Sequence, residues 1–534
     1  MKLFVVIVLS LTVLSLANNI PEFVKRGHFA GRSGNVVVSP QALASDKSPS
    51  VLVVDQYRQH HTFSTAEDTI QDINIANLVS HIFQTAPPSN EGNLLEIDRS
   101  AFPVVSLFHP PAANAFVIVE GVDYDILDRY PTLSLLKGKK QVEIVPTYYH
   151  KDTLSSAETI VTSSPPSVHG ITGSSWINYA GLESMAFYDG GSESHAESFF
   201  DSLSMTSPNS LMVSMSSDYQ LASVLGVRVP DYVQKANHAT YFWNSQHQTF
   251  DVKQGARFAN KDLKSNRACI LNSFQDSANF LFNYENIIFK FDEKVMQLHV
   301  SSISSHMNDV VYDMNAEEDF IIFAELHFLE TLLNAMKGED HAALLKDSAP
   351  DAFNLGFAGL NSLKEKYGAE SPQFIAALHL LDSALSAFFD SMNSLYFEKL
   401  SHQVVFLRTP PAVPYYLTES LLSELENSVV SAGDLTSYLP EIYLENTNGN
   451  EQDEISLLSS LNEFLQIHEL SAYWFGNLQV QSQDLVLGEN APRRWSIKVI
   501  FGGKRKPDSE KCYTLDEVSF AYFWTLHKFF DRSL

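Results

Sequence analysis

The sequence predicts an α/β protein in which an N-terminal mixed sheet with helices is followed by an antiparallel helical block that packs on it, and then by an irregular C-terminal segment. Three observations predict this. Short, mostly valine-rich runs with Pro, Gly, Ser, Asn or Asp near their ends recur between residues 35 and 145, which is the signature of buried strands. A helically spaced apolar set lies among them, and strand–helix–strand order calls for a layered sheet. From 317 to 399 the apolar spacing turns helical, with caps and stops in the matching places.

The strand candidates in this first part are 36–38, 51–54, 104–108 and 115–119. Ile70, Ile73, Ile75, Leu78, Val79 and Ile82 are close to helical spacing, so 68–83 reads as a helix. Residues 154–208 are rich in Ser, Gly, Pro and Thr and read as loops with short elements. The runs 211–215, 221–227, 281–291 and 295–300 read as further strands, and the aromatic-rich stretch 232–250 as a cover over the sheet.

In the third part, Phe320, Phe323, Leu326, Leu329 and Leu333 share a wide apolar face, with Gly338 as a stop. A second helix is expected to start at Ser348-Ala349-Pro350-Asp351 and to end at Gly368, a good residue for a helix terminus. Ser371 followed by Pro372 is an N-cap with proline at the first helical position. Residues 403–407 return to strand character. Helices are expected again at 418–430 and 454–470, around a polar loop at 445–453. The resulting division is a signal peptide at 1–17, an α/β lumenal domain at 18–310, a helical block at 311–409 and a mixed, irregular region at 410–534.

Composition narrows the function classes. The chain has 534 residues, 45% of them apolar and 12% aromatic, ample for a packed core. A formal net charge of −27 argues against nucleic acid and anionic membrane surfaces, which need clustered Lys and Arg. Met1-Lys2-Leu3 precedes an apolar run to residue 17. That is the pattern of a cleaved secretory signal, shorter than the roughly 20 residues that span a bilayer. The two cysteines, Cys269 and Cys512, exclude a disulfide-stapled scaffold, and either one long-range bridge or two thiols fits them. No Asn-x-Ser/Thr site occurs, so N-glycosylation is not expected.

Catalytic signatures are missing from the sequence: no Gly-x-Ser-x-Gly, His-Glu-x-x-His, phosphate loop or Cys-x-x-Cys occurs. No catalytic, cofactor-binding or metal residues are therefore assigned. His60-His61 near Asp55 invites a metal reading, but adjacent side chains on a strand point to opposite faces, and a polar loop is the better account. Asp189, Ser192 and His195 carry the ingredients of a triad without the mutual geometry one requires. His109, ahead of Pro110-Pro111, reads as a turn residue, with a lumenal pH sensor as the alternative. Gly121 reads as a turn at a strand end. Gly356 and Gly359 weaken a helix unless a neighbouring backbone approaches closely there.

The stretch 340–396, with Glu339-Asp340-His341 leading into Asp351-Ala-Phe-Asn-Leu-Gly-Phe357, then Lys364-Glu-Lys-Tyr-Gly368 and Asp390-Ser-Met-Asn-Ser-Leu-Tyr396, resembles the (pro)renin receptor family, the accessory proteins of the vacuolar proton ATPase. Leu107-Phe108-His109-Pro110 and the segment 115–122 support the match. The resemblance implies a non-enzymatic receptor with a lumenal ectodomain, one membrane helix and a short cytosolic tail. It also implies partners in the proton pump's membrane sector and in renin or prorenin, a part in signalling, and a place in the endoplasmic reticulum, the endolysosome (lysosome) or the cell-surface membrane. A homodimer is a further expectation. The sequence departs from the family near its end: the apolar segment 518–530 is short and contains His527 and Lys528, so a soluble form or an altered C-terminus is expected. A divergent secreted hydrolase and a soluble secreted interaction protein are the alternatives.

Overall fold

The structure is a computed structural model that describes residues 22–29, 32–33, 36–38, 49–55, 69–83, 85, 87–88, 111–137, 139, 141–148, 152–176, 186–187, 194–228, 238–254, 265–274, 287–302, 309–337 and 349–408, with short strands at 436–438, 441–443 and 472–474. All of these fall within one compact unit, residues 1–476. The signal segment, the strand at 104–108, His60, His61, His109, Asp189, Ser192, Cys512, the helices at 418–430 and 454–470, and the segment 518–530 lie outside the described residues.

The first half contains α1 (Glu22–Gly27), β1 (Val36–Val38), β2 (Ser50–Asp55), β3 (Thr69–Gln71), α2 (Ile75–Phe83), β4 (Ala113–Glu120), α3 (Tyr124–Arg129) and β5 (Gln141–Val145). Next come α4 (Thr153–Thr162), α5 (Pro166–His169), β6 (Ser175–Trp176), β7 (Ala186–Phe187), α6 (Phe199–Thr206), β8 (Met212–Ser216) and α7 (Tyr219–Leu225). These lead to β9 (His238–Asn244), β10 (Thr249–Gln254), α8 (Arg267–Ser273), β11 (Ile287–Asp292), β12 (Gln297–Ser302) and β13 (Val310–Asp313). The last are α9 (Glu317–Lys337), β14 (Asp351–Phe357), α10 (Gly359–Tyr367), α11 (Pro372–Leu395), β15 (Leu400–Leu407), β16 (Thr436–Tyr438), β17 (Glu441–Tyr443) and β18 (Ala472–Trp474).

The mixed α/β class holds. Nine strands form one sheet in the order β10-β9-β8-β14-β4-β15-β2-β5-β3. Its centre is parallel, with β14 between β8 and β4 and with β15 on the far side of β4. Strand β2 joins antiparallel to both β15 and β5. A buried parallel strand must be apolar on both faces, and β4 is: Ala115, Val117 and Val119 enter one core, while Phe116 and Ile118 enter the other. The first core is closed by α9, α10, α11 and the β11–β13 meander, the second by α2, α4, α6 and α7. The expectation that the late helices bury their apolar faces on the sheet is met. Ser371 caps α11 by accepting the Phe374 amide at 3.2 Å, with Pro372 in the first turn. This helix has the length and hydropathy of a membrane span, yet Phe374, Leu381, Leu385 and Phe388 sit in the first core.

Several elements differ from expectation. Residues 351–357 are not the start of a helix but a central strand, and α10 begins only at Gly359. Their period is two: Phe353, Leu355 and Phe357 face the first core and Ala352 the second. Residues 219–225 form a helix, not a strand, because Asp218 caps them by accepting the Leu221 amide at 2.8 Å. The described residues of the Ser-rich region 154–208 include three helices. Asp152 caps α4 and a Ser198–Asp201 capping box starts α6, and hydroxyls such as that of Thr162 return to the helix's own carbonyls. The described part of the aromatic-rich stretch, 238–250, lies within the sheet and not over it, supplying β9 and the start of β10 at its edge. Residues 69–71 are a strand, ahead of a short 3-10 turn and α2.

Candidate functional site

In an open parallel sheet, ligands bind in the crevice beyond the carboxyl ends of the strands. Here that place is formed by Ser217-Asp218 after β8, Ala358-Gly359 after β14, and Glu120-Gly121 at the end of β4. It is filled from within. Glu325, fully buried on α9, projects its carboxylate into it. Its Oε1 accepts the Ala358 amide at 2.8 Å, the Gly359 amide at 3.1 Å and the Ser217 hydroxyl. These amides open α10, so the carboxylate occupies the positive end of a helix, where an anion is favoured.

Two glycines let the elements close. A Cβ on Gly359 would lie 2.8 Å from Glu325 Oε2 and from the Ile322 backbone. One on Gly121, whose φ is +85°, would lie 2.7 Å from the Asn361 Cα. The close-packing account of Gly359 is therefore right. Gly356 is a strand residue, and a Cβ there would meet Leu221 Cδ2 at 2.8 Å.

Three more carboxylates surround the crevice. Asp218 and Asp152 cap α7 and α4, and Glu120 is buried against Thr153. Burial, followed by the nearby Asp218 charge, pushes the Glu120 carboxyl up to about 8. Burial raises Glu325 to about 7 against the pull of its hydrogen bonds. Sequence reasoning missed both residues. Glu120 ends an apolar run where a turn charge is unremarkable, and Glu325 lies on a mostly apolar helix between Ala324 and Leu326.

Of the triad candidates, Asp189 and Ser192 lie outside the described residues, and His195 is described. Its Nε2 lies 3.2 Å from Arg32 Nη2, and its ring meets Phe29 edge-on. The Ser194 hydroxyl next to it donates a hydrogen bond to Glu158 Oε1 at 2.6 Å. Glu158 is in turn gripped by Arg228, with Nη1 at 2.6 Å and Nη2 at 2.7 Å. Among the described residues no group of three or more His, Cys, Asp or Glu side chains is arranged to hold a metal. A depression of about 350 Å³ elsewhere is lined by Glu318, Ser362, Glu365 and Lys366. Its lysine is committed to Asp319 at 2.9 Å. Cys269 is an exposed free thiol.

Three buried histidines, His169, His327 and His402, are held neutral. Ile171 N–H donates to His169 Nδ1, so Nε2 carries the proton toward Thr159, whose hydroxyl donates to Tyr148. Burial lowers His169 and His402, and takes His327 down to about 4. Such groups cost stability as pH falls below the ordinary 6.5. Raised carboxyls act oppositely: Glu120, Glu325 and Asp72, at about 8, 7 and 6, lose their contribution as pH rises through those values. The melting temperature is therefore expected to peak at about pH 5–6.5 and to fall on both sides, as a thermal-melt series across pH would read.

Residues 221–409 match the family model described as the renin receptor N-terminal domain. The renin receptors of Rattus norvegicus and Homo sapiens are each 32% identical to this chain over 123 residues, 23% of this chain. The chain thus spans only 32% of the length of these relatives. Among solved structures, wild-type alkaline phosphatase PafA aligns with a TM-score of 0.46 at 12% identity, covering 67% of this chain and 76% of that one.

Proposed function

We propose that this chain, renin-receptor-like over residues 221–409, is a non-catalytic binding body of the secretory lumen. It acts as a receptor or accessory protein that holds protein partners on its surface. The partners proposed are a renin- or prorenin-like protein and the membrane sector of a vacuolar proton ATPase, met along the route through endoplasmic reticulum, endolysosome or cell-surface membrane, with a role in signalling. The observation that carries this reading is the occupied crevice: Glu325 takes the donors of Ser217, Ala358 and Gly359 that a substrate anion would otherwise engage. The name of the relatives, renin receptor, points to binding in the same way.

The test is a pair of measurements on the full chain. Immobilised protein is expected to bind prorenin saturably, and to leave p-nitrophenyl phosphate and p-nitrophenyl acetate unhydrolysed. Saturable turnover of either ester, lost in a Glu325 variant that still folds, would replace this reading with that of a secreted hydrolase. Absence of prorenin binding would remove the receptor assignment.

A further inference from the structure

The filled crevice gathers four carboxylates that accept from amides and hydroxyls. Glu325 holds Ser217, Ala358 and Gly359, and Glu120 meets Thr153. Asp218 holds Leu221, and Asp152 holds Ser155 and Ser174. The charges that bear on Glu120 are Asp152 and Asp218, which cap α4 and α7, and Glu325 on α9, all acidic. The lysines of α10 are used elsewhere, Lys364 on Asp123 at 3.2 Å and Lys366 on Asp319 at 2.9 Å.

Buried like charges cannot all ionise cheaply; they keep protons or force their supports apart. The Glu325 geometry has room for a proton. All three donors converge on Oε1, while Oε2 meets only the Gly359 amide, at 3.3 Å. Oε2 can carry hydrogen without breaking any bond to Oε1.

We propose that Glu120 and Glu325 form a proton-operated latch on this crevice. When they are neutral, β4 and α9 close on the ends of β8 and β14; when both are ionised, the cost of holding two buried charges loosens those ends. The latch rests on the reading of the crevice as filled, but not on the identity of any partner. The sign follows from burial. Both carboxyls hold protons above the ordinary 4.5, Glu325 to about 7 and Glu120 to about 8. The closed form is therefore fully favoured below the ordinary value and lost as pH rises through 7 and 8.

Hydrogen exchange on the full chain tests the latch, with rates corrected for the intrinsic effect of pH. Amides of 217–221 and 358–362 are expected to lose protection roughly tenfold or more between about pH 6 and about pH 8.5, while the middle of α11 changes little. Glu120→Gln removes one charge without changing shape, and is expected to cut that loss to a few-fold. Asp218→Asn keeps the helix cap and serves as a second variant with a smaller effect in the same direction. Protection independent of pH, or an undiminished loss in a folded Glu120→Gln protein, overturns the latch. Recovery of protection at the higher pH on adding calcium ion overturns it too, because a cation would then be the natural counter-charge. Prorenin binding can fail while this result stands, and the reverse, so the two tests are separable.

Discussion

Replacing Glu158 by alanine is expected to cost about 3–5 kcal/mol of stability, the range for breaking one partner of a buried ion pair. The carboxylate is fully buried and Arg228 is only 7% exposed. Two parallel N–H···O bonds at 2.6 and 2.7 Å join them, the bidentate geometry that makes such pairs strong. Ser194 adds a third donor, and the pair joins α4 to Arg228, three residues beyond the end of α7. Alanine strands a guanidinium in a place from which water is excluded, and that desolvation is the larger part of the cost. Glu158→Gln keeps the shape and one acceptor, so its loss should be smaller. Replacing the pair together, Glu158→Leu with Arg228→Met, should recover much of the loss if desolvation dominates, because apolar residues of similar volume leave no buried charge. Urea unfolding of the three variants reads this ordering. A double variant as unstable as Glu158→Ala would show that the pair contributes beyond its own neutralisation.

How far the sequence reaches can be judged from particular residues. Where one face is buried and one signal dominates, it reads well. The spacing of Phe320, Phe323 and Leu326 and the Ser371-Pro372 start placed α9 and α11 to within a residue or two. It fails where burial is two-sided. Residues 352–357 are buried on both faces of a central strand, with Phe353, Leu355 and Phe357 on one and Ala352, Asn354 and Gly356 on the other, and Pro350-Asp351 ahead of them reads as a helix start. It fails also where polar side chains serve the backbone. Serine and threonine hydroxyls in and before α4 and α6 serve caps and carbonyls, so stretches that composition marks as loop form helices. The crevice was the least legible part. Glu120, Glu325 and Asp218 stand at 120, 325 and 218, each with an ordinary local setting, and only the parallel order of β8, β14 and β4 brings them together. Gly121 and Gly359 were readable as turn or close-approach residues, but the partner backbones they admit were not.

Gly121→Ala is expected to be the second severe change, at about 2–5 kcal/mol, the sum of two independent penalties. The first is conformational. At φ +85° an L side chain brings Cβ against the following carbonyl, at roughly 1–2 kcal/mol. The second is steric and falls on backbone: the new Cβ would lie 2.7 Å from Asn361 Cα and 2.9 Å from Asn361 N, atoms that cannot rotate aside. Relief requires moving the first turn of α10, whose start is tied to Glu325, or the end of β4, whose Gly121 amide donates to Leu407 at 2.9 Å. Overpacking of this kind costs roughly 1–3 kcal/mol. Gly368 separates the two penalties. Its φ is +87° and nothing lies within 4 Å of its missing Cβ, so Gly368→Ala should show the conformational cost alone. Denaturant midpoints of the two variants at unchanged slope give the difference directly. If Gly121→Ala costs no more than Gly368→Ala, then α10 does not press on β4, and the crevice is not closed in the way its glycines require.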